Sequence, residues 1–247
     1  MYPYLSLGPL LIQLPILALL LGVWISSFLA EREAARLKLP TTAISNLIVI
    51  GLAAGIAGAR LAYAARYPEA YLANPLGLFA LNVNTLAGFE GLLVGLLFAF
   101  LYGQRKGLPL RPTLDALAPG LAAFLVALGL AHFLSGDAFG APTDLPWSIY
   151  LWGEARHPSQ VYEILLALVV FLIALKKPFG QGGSGVNFLL VVALTAAGRI
   201  FLEAFRGDSL VWPGGFRAAQ IISLVILAAS LVVMRLWADP KTAEEDS

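Results

Sequence analysis

Long apolar runs are the dominant pattern in this sequence. Seven runs extend over about 18 residues or more, the length that a helix needs to cross the hydrocarbon core of a bilayer. They lie near residues 8–30, 42–65, 83–102, 117–134, 158–175, 186–205 and 218–237. The pattern predicts an all-α integral membrane protein with seven transmembrane helices, which form one membrane domain over residues 1–238. The acidic residues at 239–247 are predicted to form a disordered tail.

The basic residues between the runs are distributed unequally. Cytoplasmic loops of membrane proteins carry an excess of Lys and Arg. One side would hold ten of them, namely Arg32, Arg36, Lys38, Arg105, Lys106, Arg111, Lys176, Lys177, Arg235 and Lys241. The other side would hold four, namely Arg66, Arg156, Arg206 and Arg217. The N-terminus is therefore predicted to lie outside and the C-terminus in the cytoplasm.

The composition supports a membrane setting and argues against several kinds of site. Hydrophobic residues make up 59% of the 247 positions and charged residues 13%, whereas soluble domains carry about 25% charged residues. The net charge of +1 gives no reason to expect nucleic acid as a partner. With no cysteine and only two histidines, the chain lacks thiolate ligands and a histidine-rich cluster. No metal or other cofactor is predicted.

Three charged residues interrupt the sixth apolar run. Arg199, Glu203 and Arg206 are spaced i, i+4 and i+7, so they share one face of a helix. A charge inside a bilayer costs on the order of 3 kcal/mol on insertion scales, and it therefore needs a partner or a polar cavity. The group is either a binding site or a structural ion pair between Arg199 and Glu203.

Other polar residues are predicted to lie at the same depth as this group. By the predicted orientation, the outer half of the bilayer would contain Arg60, Glu90, Arg156, His157, Gln160 and Glu163. Glu90 is either a general base or the ion-pair partner of Arg60 or Arg199, since both roles occur for intramembrane carboxylates. His132, near the outer end of the fourth run, is either a satisfied polar residue or a catalyst. A site open to the outer leaflet is predicted.

The segment Arg156–Glu163 is predicted to open the fifth transmembrane helix, with Pro158 at the first helical position. A helix N-terminus beside Arg156 suits a phosphate group. The alternative is that His157 and Ser159 only cap the helix.

Two motifs in this chain resemble those of bacterial prolipoprotein diacylglyceryl transferases. His157-Pro-Ser-Gln-Val-Tyr-Glu163 is similar to the family's H-P-S-Q-L-Y-E, and Gly198–Arg206 is similar to its G-R-x-x-x-E-x-x-R. Gly58-Ala-Arg-Leu-Ala-Tyr63 and Gln220-Ile-Ile-Ser223 also fit the family pattern. The resemblance extends from about residue 40 to about residue 225.

The sequence departs from the family pattern at several positions. Glu90 stands where the family's S-F-H-G-G-L-I-G carries a histidine that is regarded as catalytic. In the block that resembles R-x-G-N-F-x-N-x-E-x-x-G, the arginine is replaced by Gly129 and the asparagines by His132 and Ser135. The glutamate of that block is replaced by Asp137.

The resemblance implies transfer of the diacylglyceryl group from phosphatidylglycerol to the lipobox cysteine of a prolipoprotein. The protein would be a multi-pass enzyme of the bacterial cytoplasmic (inner) membrane, with the lipid and the prolipoprotein signal peptide as partners. Glu90 or His132 would accept the thiol proton, while Glu203 would orient Arg199. The residues expected to bind substrate are Arg199, Arg60, Arg156, His157, Gln160, Glu163 and Arg206. A catalytically silent homologue that binds phospholipid or a membrane partner is the main alternative, and a small transporter is a further one.

Overall fold

The computed structural model describes residues 3–7, 10–79, 85–180 and 182–238, and over these residues the protein is mostly helical. The α-helices are α1 (Leu14–Arg36), α2 (Thr41–Arg66), α3 (Pro68–Ala73), α4 (Gly88–Arg105), α5 (Leu110–Ser135), α6 (Ser159–Lys176), α7 (Val186–Leu202) and α8 (Ala218–Ala238). Short 3-10 helices cover Pro75–Phe79 and Glu203–Phe205. Antiparallel pairing joins β1 (Tyr4–Leu7) to β2 (Leu10–Gln13) and β3 (Ile149–Leu151) to β4 (Glu154–Arg156).

Six helices of the described residues are long and apolar enough to cross a bilayer. They are α1, α2, α5, α6, α7 with its 3-10 extension, and α8. α4 coincides with most of the third predicted span, but it carries Glu90 in its first turn and Arg105 in its last, and it is not one of the six. A helical membrane protein is thus confirmed, whereas the count of seven spans and the orientation stay predictions. Positions 83–84 of the third predicted span, and the predicted tail at 239–247, lie outside the described residues.

The first membrane helix begins and ends later than the sequence suggested. Residues 10–13, predicted to be part of the span, pair with β1 as strand β2. α1 starts with Pro15 in its first turn, where the missing N–H removes no helical hydrogen bond. The helix continues through the charged segment to Arg36, because Glu33 is buried and forms ion pairs with both Arg36 and Lys177.

The chain divides into two compact units, Met1–Leu37 with Arg111–Ser247, and Lys38–Leu110. In the first unit, helices α5, α6 and α7 pack through small buried side chains such as Ala122 and Ala174. A Cβ at Gly198 would lie 2.2 Å from the Leu166 side chain. Small residues are needed here because helices in lipid associate through close van der Waals packing rather than through exclusion of water. The prediction of a single domain stays a prediction.

Glycines control the packing of α2 on α4 in the second unit. A Cβ at Gly91 would lie 2.7 Å from the Gly55 carbonyl oxygen, and a Cβ at Gly95 would lie 2.7 Å from the Gly51 carbonyl oxygen. The glycines of α4 therefore allow a close approach of the two helices. This packing holds the first turn of α4, and with it Glu90, against the end of α2.

Candidate active site

The end of α7 carries the charged residues that interrupt the sixth apolar run. Arg199 Nη2 lies 3.2 Å from Glu203 Oε2, and Arg206 Nε lies 4.0 Å from the same oxygen. Glu203 is only 1% exposed, so its carboxylate is buried between two guanidinium groups. The predicted common face of these residues is confirmed, although regular helix ends at Leu202 and the chain continues as a 3-10 turn.

The two arginines beside Glu203 have different surroundings. The Asp208 carboxylate accepts hydrogen bonds from Arg206 Nε at 2.8 Å and from Arg206 Nη2 at 2.6 Å. Such a bidentate pair fixes the guanidinium in position. Arg199 has its ion pair with Glu203, and its side chain remains 34% exposed. Because Asp208 already neutralises Arg206, Arg199 is the better placed of the two arginines to bind an external anion.

Arg217 holds the backbone of this turn, a role that sequence analysis missed. Its Nη1 donates to the Glu203 carbonyl, to the Arg206 carbonyl at 2.8 Å and to Ser209 Oγ at 2.8 Å. The last carbonyls of a helix lack partners within the helix, and Arg217 supplies one. In the sequence Arg217 counted only as a loop cation, since nothing in its spacing shows that it returns to the end of α7.

Gln220 makes a similar long-range contact. Its Nε2 donates to the Ile200 carbonyl at 3.1 Å, which links the first turn of α8 to the last turn of α7. Gln220 belongs to the short segment that resembles the family pattern, so the sequence contained a signal for it. The contact indicates that this glutamine positions α7.

The first turn of α6 and the residues just before it place three polar side chains of the H-P-S-Q motif. Ser159 Oγ donates to the Ala138 carbonyl at 2.5 Å, and Gln160 Nε2 donates to the Asp137 carbonyl at 2.9 Å. Gln160 is 0% exposed, yet its Oε1 has no hydrogen-bond partner among the described residues, and the same holds for Nδ1 of His157. α6 is preceded by Pro158 without a side-chain cap. The bonds of Ser159 and Gln160 therefore tie the 136–140 loop to α6, which argues against a simple capping role for this motif.

Close backbone contacts assemble the loop over this end of the unit. Isolated β-bridges join Gly140 to Arg206 and Pro142 to Arg156. A Cβ at Gly140 would lie 2.1 Å from the His157 carbonyl oxygen, so only glycine fits there. The His157 ring packs against Phe205, with 5.2 Å between the ring centroids. The loop therefore brings the H-P-S-Q motif next to the end of α7.

Arg156, which was predicted to bind substrate, has its donors engaged within the loop. It donates to the Leu151 carbonyl at 3.1 Å, to the Gly140 carbonyl at 3.2 Å and to the Glu154 carboxylate at 2.6 Å. Its guanidinium also lies over the Phe139 ring. These contacts give Arg156 a part in holding β4 and the loop, and its contact with substrate stays a prediction.

His132 forms a pair with Glu163 across α5 and α6. The His132 Nδ1 and Glu163 Oε2 atoms are 2.9 Å apart, and both side chains are partly exposed. Glu163 lines a small pocket of about 50 Å³ together with Leu125, Leu166, Ala167, Thr195, Arg199 and Leu202. The structure thus brings Glu163 to the same pocket as Arg199, and it places His132 beside Glu163.

Gly129, which stands where the resembling family has arginine, lies at a helix contact. A Cβ there would be 3.0 Å from Ile164 Cγ1 and 3.3 Å from the Ile164 backbone nitrogen. α5 and α6 are too close at this level for a long side chain to fit between them. Gly129, in place of the family's arginine, therefore allows a close approach of the two helices that carry His132 and Glu163.

The second unit contains two further predicted site residues. Glu90 forms an ion pair with Arg66, the last residue of α2, and not with a residue that the sequence suggested as its partner. Arg60 is buried and donates from Nη1 to Thr85 Oγ1. Within this unit the two predicted site residues have local partners, and their meeting with Arg199 and His132 in one cavity stays a prediction.

The first unit therefore combines a partly exposed guanidinium, a histidine–carboxylate pair and a buried amide oxygen that has no hydrogen-bond partner in the described part of the chain. A guanidinium binds a phosphate through charge-assisted hydrogen bonds, and a histidine oriented by a carboxylate is a common general base. Among the described residues, no cluster of three or more His, Asp and Glu side chains could hold a metal ion.

Comparison with known proteins identifies the family. A sequence model described as "Prolipoprotein diacylglyceryl transferase" matches residues 4–236. A relative from Synechococcus elongatus is 31% identical over 244 residues, which cover 90% of this chain and 82% of the relative. One from Shouchella clausii is 29% identical over 255 residues, covering 96% and 91%, and one from Clostridioides difficile is 27% identical over 211 residues, covering 85% of each. All three are named phosphatidylglycerol–prolipoprotein diacylglyceryl transferase. With a match of this extent, and with both family motifs at one end of the same helical unit, the chain belongs to the prolipoprotein diacylglyceryl transferase family.

Proposed function

We propose that this protein transfers the diacylglyceryl group of phosphatidylglycerol to the thiol of a lipobox cysteine in a prolipoprotein. The observation that carries the proposal is the position of Arg199. It is a partly exposed cation at the end of α7, paired with a buried carboxylate and lining the same pocket as Glu163. A cation held in this way suits the phosphate of a lipid headgroup.

The reaction requires one bond to form and one to break. The cysteine sulfur forms a bond to the terminal glyceryl carbon of the lipid, while the bond from that carbon to the phosphate oxygen breaks. The leaving glycerol phosphate keeps the electron pair, and a base takes the thiol proton. Arg199 would stabilise the negative charge on the leaving phosphate, an electrostatic effect that is strong where water is excluded.

His132 is the better supported of the two candidate bases. Glu163 occupies its Nδ1, which leaves Nε2 for the thiol proton, and the carboxylate would stabilise the imidazolium that forms. This arrangement resembles the general histidine–carboxylate pairs of acid–base catalysis. Glu90 is the alternative base, but its carboxylate is paired with Arg66.

The buried end of α6 would complete the lipid site. Gln160 Oε1 is an acceptor without a partner among the described residues, and it would accept a hydrogen bond from a hydroxyl group of the lipid headgroup. Glu203 would hold Arg199 in place through their ion pair, and Arg206 would share the Glu203 carboxylate. Arg156 and His157 would shape the surrounding loop. Arg60 in the second unit is a further candidate for contact with lipid.

The proposed topology places this site at the outer leaflet of the bacterial cytoplasmic membrane. Seven spans are expected from the apolar runs, and an outside N-terminus and a cytoplasmic C-terminus are expected from the distribution of basic residues. The substrates would reach the site laterally, the lipid from the outer leaflet and the prolipoprotein through its signal peptide. Cysteine substitution at Trp152 in the 136–158 loop, followed by labelling of intact cells with a membrane-impermeant maleimide, tests this orientation; protection of that cysteine in intact cells, with labelling after lysis, would contradict it.

Purified protein with phosphatidylglycerol and a lipobox peptide tests the activity and the base. Mass spectrometry of the peptide measures diacylglyceryl addition to the thiol. We expect transfer by the unmodified protein, a loss of about 100-fold or more in His132→Ala, and a smaller loss in Glu90→Gln. The reverse order would assign the base to Glu90, and unchanged rates in both variants would refute both assignments.

A catalytically silent homologue is the competing function. The observations that favour it are Gly129 and Glu90, which replace two of the family's charged or catalytic residues. Expression in bacteria depleted of their own transferase separates the two functions. Restored growth together with lipid-modified prolipoprotein supports the enzyme, whereas phosphatidylglycerol binding without modification supports the silent homologue.

A further inference from the structure

A second polar pocket lies at the other end of the first unit. It has a volume of about 430 Å³ and is lined by Leu29, Arg32, Glu33, Arg36, Pro119, Leu175 and Lys177. Glu163 lies in the second turn of α6 and Lys177 directly follows its last residue. Their separation of 14 positions corresponds to about 21 Å along a helix. The pocket is therefore separate from the candidate active site by most of the thickness of a bilayer.

Positive charge dominates this pocket. Its lining has three cations and one carboxylate, Glu33. Arg36 Nε donates to the two Glu33 oxygens at 3.1 and 3.0 Å, and Lys177 Nζ donates to Glu33 Oε2 at 2.6 Å. Arg32 is exposed, and no ion pair joins it to another residue in the described part of the chain. Glu33 thus orders two cations, and the charge of Arg32 remains available.

A second buried carboxylate near this end, Asp115, has its own partners. Asp115 is buried and accepts backbone hydrogen bonds from Gly183 at 2.7 Å, Gly185 at 2.9 Å and Phe188 at 3.1 Å. These bonds fix the glycine-rich segment that leads into α7, and they use both carboxylate oxygens. Asp115 also attracts Arg36 electrostatically, but among the described residues no hydrogen bond or ion pair joins it to Arg32 or Lys177.

The remaining lining is apolar. Leu29, Pro119 and Leu175 form the wall of the pocket, and each belongs to a helix that is long and apolar enough to cross a bilayer. Cations beside an apolar wall at the end of membrane helices suit a phospholipid, whose phosphate binds the cations while its acyl chains follow the helices.

We propose that this pocket binds the phosphate of an anionic phospholipid from the leaflet opposite to the active site. The lipid is bound as a structural ligand and is not a substrate, because the pocket lies about 21 Å along α6 from Glu163, which lines the pocket of the candidate active site. Arg32 and Lys177 hold the phosphate, and Glu33 positions Lys177 and Arg36. The proposal does not depend on the transferase activity.

Native mass spectrometry of the full-length protein in detergent tests the proposal. All measurements use an Arg199→Ala background, so that lipid bound at the candidate active site does not contribute to the signal. The probes are phosphatidylglycerol, phosphatidylcholine and inorganic phosphate. We expect retention of phosphatidylglycerol over phosphatidylcholine, and a loss of affinity of about tenfold in Arg32→Gln. Lys176→Gln is the matched control, because Lys176 is an exposed cation next to the pocket that does not line it.

The outcomes distinguish the sources of the phosphate. Equal retention of phosphatidylglycerol by Arg32→Gln and Lys176→Gln would overturn the proposal. Binding of inorganic phosphate at millimolar concentration with the same affinity as the lipid would overturn it as well. Arg32→Glu provides a second variant, since it reverses the charge at an exposed position. Transferase activity measured with Arg199 intact should be retained in Arg32→Gln, so failure here and failure of the proposed reaction are separate results.

Discussion

Substitution of Arg199 by alanine tests the central feature of the candidate site. The change removes the cation that would bind phosphate, while Glu203 keeps Arg206 at 4.0 Å. Loss of one partner from a buried ion pair costs about 3–5 kcal/mol when the remaining charge is left without compensation. Because Arg206 remains near Glu203, we expect a smaller loss of folding stability than this range.

The expected effect on catalysis follows from the hydrogen bonds to phosphate. A hydrogen bond between charged groups contributes about 1.5–3 kcal/mol, and about 1.36 kcal/mol corresponds to a tenfold change in rate. Arg199→Ala should therefore lower kcat/KM by about 10- to 150-fold. Arg199→Lys keeps the charge but loses the planar pair of donors, so its rate should lie between those of the alanine variant and the unmodified protein.

The assay follows diacylglyceryl addition to a lipobox peptide at fixed phosphatidylglycerol, with thermal unfolding measured in the same detergent. Arg235→Ala is the matched control, because Arg235 is an exposed arginine in the last turn of α8. The contrary result is a kcat/KM for Arg199→Ala that lies within about twofold of the control while the thermal stability is normal. So small a change is outside the range expected for loss of a charged contact, and it would refute the assignment of Arg199 to phosphate binding.

Substitutions around Arg199 and between the helices extend these tests. Arg217→Ala removes the side-chain donor that two backbone carbonyls share, so the free energy of unfolding should fall by about 1–3 kcal/mol and KM for phosphatidylglycerol should rise; a change in stability without a change in KM would argue against a positioning role for Arg217. Glu163→Gln should lower kcat with little change in KM for the lipid, because the carboxylate acts on the imidazolium of His132; an unchanged kcat argues against the pair as base. Gly91→Leu should lower the thermal stability by separating α2 from α4, whereas Gly88→Ala, where a Cβ would meet nothing within 4 Å, should not; equal stabilities would contradict the packing argument.

Much of the helical framework was predictable from sequence because apolar runs have a direct physical meaning in a membrane. Helices are favoured there since every backbone group must find its hydrogen bond within the protein. The ends of helices were less predictable. α1 continues to Arg36 because Lys177, far away in sequence, forms an ion pair with Glu33, and no local pattern around Glu33 contains that information.

The candidate site was predictable in part, because some of its contacts follow from the spacing of residues along one helix. Arg199 and Glu203 are one helical turn apart, so their ion pair follows from the period of the helix. The pairing of His132 with Glu163 depends on how closely α5 approaches α6, and that approach depends on Gly129 meeting Ile164. The sequence showed Gly129 only as a missing arginine, whereas the structure shows it as a helix contact.

The sequence by itself determined that this chain is a helical membrane protein, which side chains share the face of α7, and which family its motifs resemble. These properties depend on hydrophobicity and on short helical periods, both of which are local. The tertiary structure decided that Arg217 returns to the end of α7 and that Arg199 remains partly exposed beside a pocket. These contacts join residues from different loops and helices, and their geometry arises only when the helices pack.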